Sequence, residues 1–211
     1  MRHVEVRGEV RLVPVIEIEP YHFSSVQTAE RSDYFEACMT DAGFKNVVPI
    51  AEGWHFVSAR SLIGNPILEQ LIREAAEGKD LDEMGPFYGG LALIADEEPL
   101  IRPSCCGDLS DLRSWKQVVA ERPSSGRIWI GHPELSFSIR EDRITLVEEW
   151  ESTTRPDWLL ELTMPLTQLT SAVARARAEM KLFRLELEPI VARVLGPSRS
   201  SERVTNALIG A

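Results

Sequence analysis

The chain has 211 residues and a formal net charge of -10, with 44% hydrophobic and 27% charged residues. This composition is typical of a folded globular protein and excludes a largely disordered chain. The negative charge argues against binding to nucleic acid, because no cluster of lysine and arginine offsets it. No apolar run approaches the roughly 20 residues that span a bilayer, and the charged start is unlike a secretory signal. We therefore expect a cytoplasmic protein without a membrane or nucleic-acid partner.

The first third of the chain predicts a strand and two helices. Residues 10–19 are rich in β-branched side chains, and Pro14 among them indicates an edge strand or one bent at the proline. A helix is predicted over 25–42, with Gly43 as its C-terminal stop. A second helix begins at Asn65-Pro66 and ends at Gly78, with Asn65 as the N-cap.

The segment from Tyr88 to Glu151 carries the strongest strand signals. Hydrophobic and polar residues alternate strictly over 135–139, which is typical of a strand with one buried face. Since a parallel crossover needs about a dozen residues, the short connections here predict antiparallel pairing. The three runs joined in this way are 127–130, 135–140 and 143–149.

The C-terminal third predicts one long helix from about Pro165. Apolar residues recur in alternating steps of three and four from Leu166 to Val194, which is the spacing of a heptad seam. Pro189 predicts a kink or break near Glu188. The seam can form a dimer or pack on its own chain, and we favour packing within the chain because Leu182 and Leu185 widen the apolar stripe.

The fold class that these elements predict is α+β, with a central antiparallel β-meander packed against helices and a long C-terminal helix. We expect one α+β domain over 1–160, with its sheet core at about 88–151. The long helix over 161–195 packs on this domain in our interpretation, and residues 196–211 form a tail.

Two adjacent cysteines, Cys105 and Cys106, form the most unusual motif of the chain. They precede a predicted helix over 109–121, and Asp108 with Asp111 has the spacing of a capping box at its start. The helix dipole is therefore expected to favour thiolate and to lower a thiol pKa, as suits a nucleophile or a redox sensor.

Two features weigh against thiol chemistry. Leu112 stands at the position, relative to Cys106, where a cysteine phosphatase loop has arginine. The adjacent cysteines also lack the gap of a dithiol redox motif. We favour the interpretation that the loop is buried and packs one sulfur each way. The candidate catalytic residues, should the loop be reactive, are Cys105, Cys106 and His132.

No metal or cofactor is predicted. A zinc site needs four convergent ligands, and the sequence contains no closely spaced set of cysteine and histidine. His132 could meet Cys105 or Cys106 across the sheet, but its ordinary role is that of a turn residue. No nucleophile elbow, metalloprotease helix, phosphate loop or dinucleotide fingerprint occurs.

An aromatic and acidic surface is the alternative to catalysis. Trp129 is out of phase with its isoleucine neighbours, so it either lies under the long helix or anchors an interface. Acidic residues and a further tryptophan end the last strand of the meander. Such a surface suits a basic protein partner. The predicted binding residues are Trp129, Glu148, Glu149, Trp150 and Glu151.

Part of the chain, over 93–150, resembles small bacterial immunity proteins of polymorphic toxin systems. The resembling features are Pro-Ser-Cys-Cys-Gly-Asp-Leu with Trp115 downstream, then Ile-Trp-Ile-Gly-His-Pro and an alternating hairpin. The resemblance implies a single α+β domain that binds and blocks a toxin domain without catalysis. With the negative charge, it makes a non-catalytic inhibitor of a basic partner our first hypothesis. The alternatives are a homodimer formed through the C-terminal helix and a thiol-dependent enzyme or redox sensor.

Overall fold

The computed structural model is an α+β protein, as the sequence predicts, with mostly antiparallel strands and a long helix near the end of the chain. Two compact units make up the chain. One combines the residues up to Pro14 with 88–180, and the other combines 15–87 with 181–211. The structure describes residues 2–19, 37–43, 46–52, 54–149, 159–196 and 200–211.

The strands are short and the helices differ widely in length. Among the described residues, short 3-10 turns accompany them at Ala59–Leu62, Leu81–Glu83 and Leu109–Asp111. Within the described ranges, no helix combines the length and the apolarity that crossing a bilayer requires. The strands are β1 (Arg2–Glu5), β2 (Val10–Glu17), β3 (Phe56–Ser58), β4 (Gly89–Ala95), β5 (Glu98–Ile101), β6 (Ser125–Ile128), β7 (Leu135–Arg140), β8 (Arg143–Glu148) and β9 (Leu160–Pro165). The helices that lie wholly within the described residues are α1 (Pro66–Ala76), α2 (Leu112–Glu121), α3 (Leu166–Leu195) and α4 (Ser201–Ile209).

The first unit contains a five-stranded sheet in the order β1-β9-β8-β7-β6. Strands β6 to β9 form an antiparallel meander, which confirms the prediction from the short connections. Alternate residues of β7 to β9, such as Leu135, Leu146 and Leu162, are buried, so one face of the meander packs against the core. Strand β1 was not predicted, and it pairs in parallel with β9.

Strands β4 and β5 form an antiparallel hairpin in the same unit, and β2 lies beside β4. All residues of β4 are buried, which explains its continuous apolar run. The strands predicted between 88 and 151 therefore belong to two sheets. The edge-strand interpretation of β2 is wrong, because β2 has two neighbours. Its pairing with β3 begins only at Val15, one residue after Pro14.

The second unit contains the β2–β3 pairing, helix α1, the later part of α3 and helix α4. Asn65 caps α1 as predicted, since its side chain accepts a hydrogen bond from the Ile67 amide at 3.2 Å. Within the predicted tail, residues Ser201–Ile209 form helix α4. Its Asn206 side chain accepts a hydrogen bond from Arg184 at 2.8 Å, and Val204 and Leu208 are buried.

Helix α3 is continuous over 30 residues, so the break predicted near Glu188 does not occur. Leu187 and Val191, on either side of Pro189, are 0% and 1% exposed. Their burial offsets the roughly 3 kcal/mol that a proline costs in a helix interior. The apolar residues of the predicted stripe are buried from Leu166 to Leu187.

Leu182 and Leu185 do not widen that buried stripe. They are 45% and 54% exposed, so this part of the interpretation is wrong. Most of the helix predicted over 25–42 lies outside the described residues. Residues 37–41 are helical, and the helix stops at Gly43, whose φ is +76°.

Candidate functional site

The two cysteines lie in a tight turn, which we call the cysteine turn (residues 104–107). It is closed by a hydrogen bond from the Gly107 amide to the Ser104 carbonyl at 3.2 Å. Two further main-chain bonds tie the turn to the segment after β6. The Ser104 amide donates to the Ile130 carbonyl at 2.7 Å, and the His132 amide donates to the Cys105 carbonyl at 2.9 Å. The turn is therefore held by residues far from it in sequence.

Glycines permit this close approach of main chains. Gly131 has a φ of +97°, and a Cβ atom there would overlap the Cys105 carbonyl oxygen. A Cβ atom at Gly107 would lie 2.7 Å from the Gly89 carbonyl oxygen and 2.8 Å from that of Ile130. No larger residue fits at either position without a shift of the backbone.

The buried side chain of Asp111 forms a hydrogen bond with the main chain directly after the turn. Asp111 is 4% exposed and accepts a hydrogen bond from the Asp108 amide at 3.0 Å. The Asp108 side chain in return accepts from the Ser110 amide at 2.6 Å, so the predicted capping arrangement is confirmed. Burial, and to a lesser degree the neighbouring Asp108 charge, raises the pKa of Asp111 to about 7.

Both thiols of the turn are exposed, so the predicted buried loop is wrong. Cys106 occupies a left-handed backbone conformation with a φ of +66°, at the outer corner of the turn. The Cys105 Sγ donates to the His132 carbonyl oxygen at 3.3 Å. A hydrogen bond with the Cys105 side chain, followed by the Cys105 charge, raises the pKa of Cys106.

The rise in the pKa of Cys106 is opposite to the lowering that we expected for a thiol that precedes a helix. The turn enters a 3-10 segment first, and α2 begins only at Leu112. The neighbouring Cys105 side chain therefore favours the protonated form of Cys106. Since the thiolate is the attacking form of cysteine, a raised pKa makes Cys106 a weaker nucleophile at neutral pH than an ordinary cysteine.

Aromatic side chains lie on both segments that pair with the turn. Trp129 is half-buried and packs edge-on against the His132 ring, with ring centroids 4.7 Å apart. Tyr88 forms an isolated bridge with Asp108 and is 71% exposed. Sequence reasoning missed Tyr88, although an aromatic residue directly before Gly89-Gly90 could have indicated it. Trp115, in contrast, is fully buried in α2.

Two of the predicted acidic residues form hydrogen bonds or ion pairs within the chain. Glu148 accepts a hydrogen bond from the Leu160 amide at 3.1 Å. Glu149 and Glu134 both pair with Arg127, each at 3.3 Å. One guanidinium thus faces two carboxylates beside Trp129. Trp150 and Glu151 lie outside the described residues.

The structure brings together Cys105, His132 and Trp129, with Cys106 next to Cys105 in the turn. Glu149 pairs with Arg127. His132 meets Cys105 through its main chain, while its ring contacts Trp129. Across the described ranges, no group of three or more histidine, cysteine and acidic residues is arranged to hold a metal ion.

Comparison with known proteins gives no relative. No protein-family model matches the chain, and no curated protein and no solved structure matches it.

Proposed function

We propose that this protein is a non-catalytic, cytoplasmic binding protein that neutralises a basic protein partner, as immunity proteins of toxin systems do. The observation that carries the proposal is the group of aromatic residues on the segments paired with the cysteine turn. We call Tyr88, Trp129 and His132, with Glu134 and Glu149, the aromatic–acidic face. The single-domain inhibitor implied by the resemblance over 93–150 would use such a face.

Exposed aromatic residues favour a protein partner. Tyr88 is 71% exposed, although a tyrosine of this size gains considerably from burial. Tyrosine and tryptophan are enriched among the residues that contribute most to protein–protein binding. Trp129 is held in place by His132, so little side-chain entropy is lost when it is covered.

The charges of the face favour a basic partner over an acidic one. Within the described residues, Glu134 and Glu149 both pair with Arg127, so that two carboxylates face one guanidinium. Arg127 has a side chain that is 63% exposed, and exposed ion pairs contribute about 0–1 kcal/mol. A lysine or arginine of the partner can therefore replace Arg127 at small cost. The net charge of -10 adds long-range attraction for such a partner.

The test is affinity capture of the tagged chain from its native lysate at low and moderate salt, with intact-mass analysis of what co-elutes. We expect one stoichiometric basic protein, whose recovery falls as salt rises. The variant Glu134→Lys, Glu149→Lys, and separately Tyr88→Ala, should reduce the recovery at least about tenfold, because interface hot spots typically exceed 1.4 kcal/mol.

The matched control is Glu77→Lys, Asp82→Lys, which makes the same change of charge at two exposed positions in the other unit. It should retain the partner. Equal loss of the partner in both charge variants would mean that only the overall charge matters. Capture that is insensitive to salt and to all of these variants would rule out the aromatic–acidic face as the binding surface.

A further inference from the structure

The five-stranded sheet of the first unit ends at β1 on one side and at β6 on the other. We propose that β6 is a docking edge, to which an extended basic segment of the partner adds as a further strand. This inference rests on the proposed function, because it assigns a binding mode to the same basic protein partner. In strand addition, main-chain hydrogen bonds give affinity and alternate side chains give specificity.

The pairing of β6 with β7 determines which main-chain groups of β6 face outward. The Ile139 amide donates to the Ser124 carbonyl oxygen at 2.7 Å, in the same register as the rest of the two strands. Opposed residues of an antiparallel ladder alternate between pairs that exchange hydrogen bonds and pairs that do not. Gly126 therefore bonds to β7 as Ser124 does. Ser125 and Arg127 direct their N–H and C=O groups to the other side, away from β7.

The outer side of β6 is open. Ser125, Gly126 and Arg127 are all exposed. Within the part of the chain that the structure describes, no main-chain hydrogen bond joins the outward groups of Ser125 and Arg127 to another segment. Such a row of amides and carbonyl oxygens is a template with which another extended chain can pair.

The two edges of this sheet differ in their protection against such pairing. Charged side chains on an edge strand discourage the addition of another strand. Strand β1 carries Arg2, His3 and Glu5, and Arg2 pairs with Glu98 at 2.7 Å. Strand β6 instead begins with two small residues, and the charge of Arg127 is paired with two carboxylates. The β6 edge is therefore the one that admits another strand.

The acidic residues beside β6 favour a basic occupant. Glu134 and Glu149 each lie 3.3 Å from the Arg127 guanidinium, on the face to which the Arg127 side chain points. Opposed side chains of neighbouring strands are about 4.5–5.5 Å apart, so a lysine or arginine of the added strand beside Arg127 reaches the same carboxylates. Two cations then face two carboxylates. The net charge of -10 opposes a second copy of this chain at the same edge.

Ser125→Pro is the sharpest variant, because it removes an outward amide and leaves the hydrogen bonds with β7 in place. Proline is accepted in an edge strand where its missing N–H would face solvent. In the affinity capture described above, recovery of the partner should fall about tenfold, since a carbonyl oxygen of the added strand loses its donor. Ser125→Ala keeps the amide and should retain the partner. His3→Pro, in the opposite edge strand, should also retain it.

A second measurement uses the unaltered chain and a synthetic peptide of six residues in which lysine and valine alternate. At about 1 mM peptide, hydrogen exchange at the Ser125 and Arg127 amides should slow about twofold or more, as a dissociation constant of about 1 mM or below requires. Exchange at the Gly126 amide should not change, because it already bonds to β7. The same peptide with all its amides methylated keeps the charges but cannot donate, and it should leave every rate unchanged.

The two measurements separate this inference from the proposed function. A partner that is lost with Glu134→Lys, Glu149→Lys but retained with folded Ser125→Pro would overturn strand addition and leave the proposed function standing. If no basic partner is captured, the proposed function fails, and the peptide alone decides on the β6 edge. Unchanged exchange at Ser125 and Arg127, or equal effects of the two peptides, would overturn the inference. So would a lower mass of Ser125→Pro in light scattering, since a second copy would then occupy the edge.

Discussion

In helix α3 and in the cysteine turn, different features of the structure determine which side chains are exposed. In α3 the exposure of a side chain depends on its position in the helical repeat. Phe183 is 0% exposed, while its neighbour Leu182 is 45% exposed. In the turn the decisive contacts come from a segment about 25 residues later in the chain, through the bonds of Cys105 with His132. A helix face therefore tolerates change at every exposed position. The turn depends on a few positions where main chains touch.

The largest expected effect on stability is that of a substitution in helix α3. Phe183→Ala should lower the free energy of unfolding by about 3–5 kcal/mol, because a fully buried aromatic ring leaves a cavity. The double variant Leu182→Ala, Leu185→Ala should change it by no more than about 0.5 kcal/mol per site. Urea unfolding measures both.

The same double variant tests whether the chain forms a homodimer through α3. Light scattering should give a smaller mass than for the wild type if the two exposed leucines hold a dimer together. An unchanged mass would show that these leucines are not the interface. A large loss of stability in the double variant would contradict the helical phase described above.

The next effect concerns the main-chain contacts of the turn. Gly131→Ala should destabilise the protein by roughly 2–4 kcal/mol, since it combines a positive φ with overlap on the Cys105 carbonyl. Gly64→Ala is the matched control, because Gly64 has a φ of +80° but nothing within 4 Å of its added Cβ. It should cost only about 1 kcal/mol. Equal costs in thermal unfolding would mean that the contact with Cys105 contributes nothing.

The smallest effect is a dependence on pH through Asp111. Its pKa rises from 3.8 in the unfolded chain to about 7 in the folded protein, so the folded state binds the proton more tightly. This contribution to stability is complete below about pH 4 and is lost as the pH rises to 7.

The matched variant is Asp111→Asn, which retains an acceptor for the Asp108 amide but does not titrate. Between pH 4 and 7, its free energy of unfolding should fall less than that of the wild type, by on the order of 1 kcal/mol or more. Parallel curves of stability against pH for the two proteins would show that Asp111 has an ordinary pKa.

The features that the sequence predicted are local ones. The capping residues Asn65 and Asp108 act on amides two residues away, so their role is visible in a short segment. The antiparallel meander follows from connections too short for any other pairing. The stripe from Leu166 to Leu187 likewise follows from the 3.6-residue period of a helix.

The features that the sequence did not predict depend on distant contacts. The cysteine turn, with its exposed thiols, is held by main-chain bonds with Ile130 and His132 that Gly131 makes possible. The raised pKa of Cys106 comes from the neighbouring Cys105. Similarly, Pro189 is tolerated because residues beside it are buried, and the tail is helical where α4 packs within its own unit. Short-range patterns contain no information on such neighbours.

The parallel pairing of β1 with β9 has a consequence for synthesis of the chain. Arg2 pairs with Leu160 and Glu5 with Thr163, so β1 finds its place in the sheet only after β9 has left the ribosome. Closing a loop of this length is entropically costly and slows folding. In the meantime β1 is a free strand, and its charged residues Arg2 and Glu5 discourage association with other growing chains.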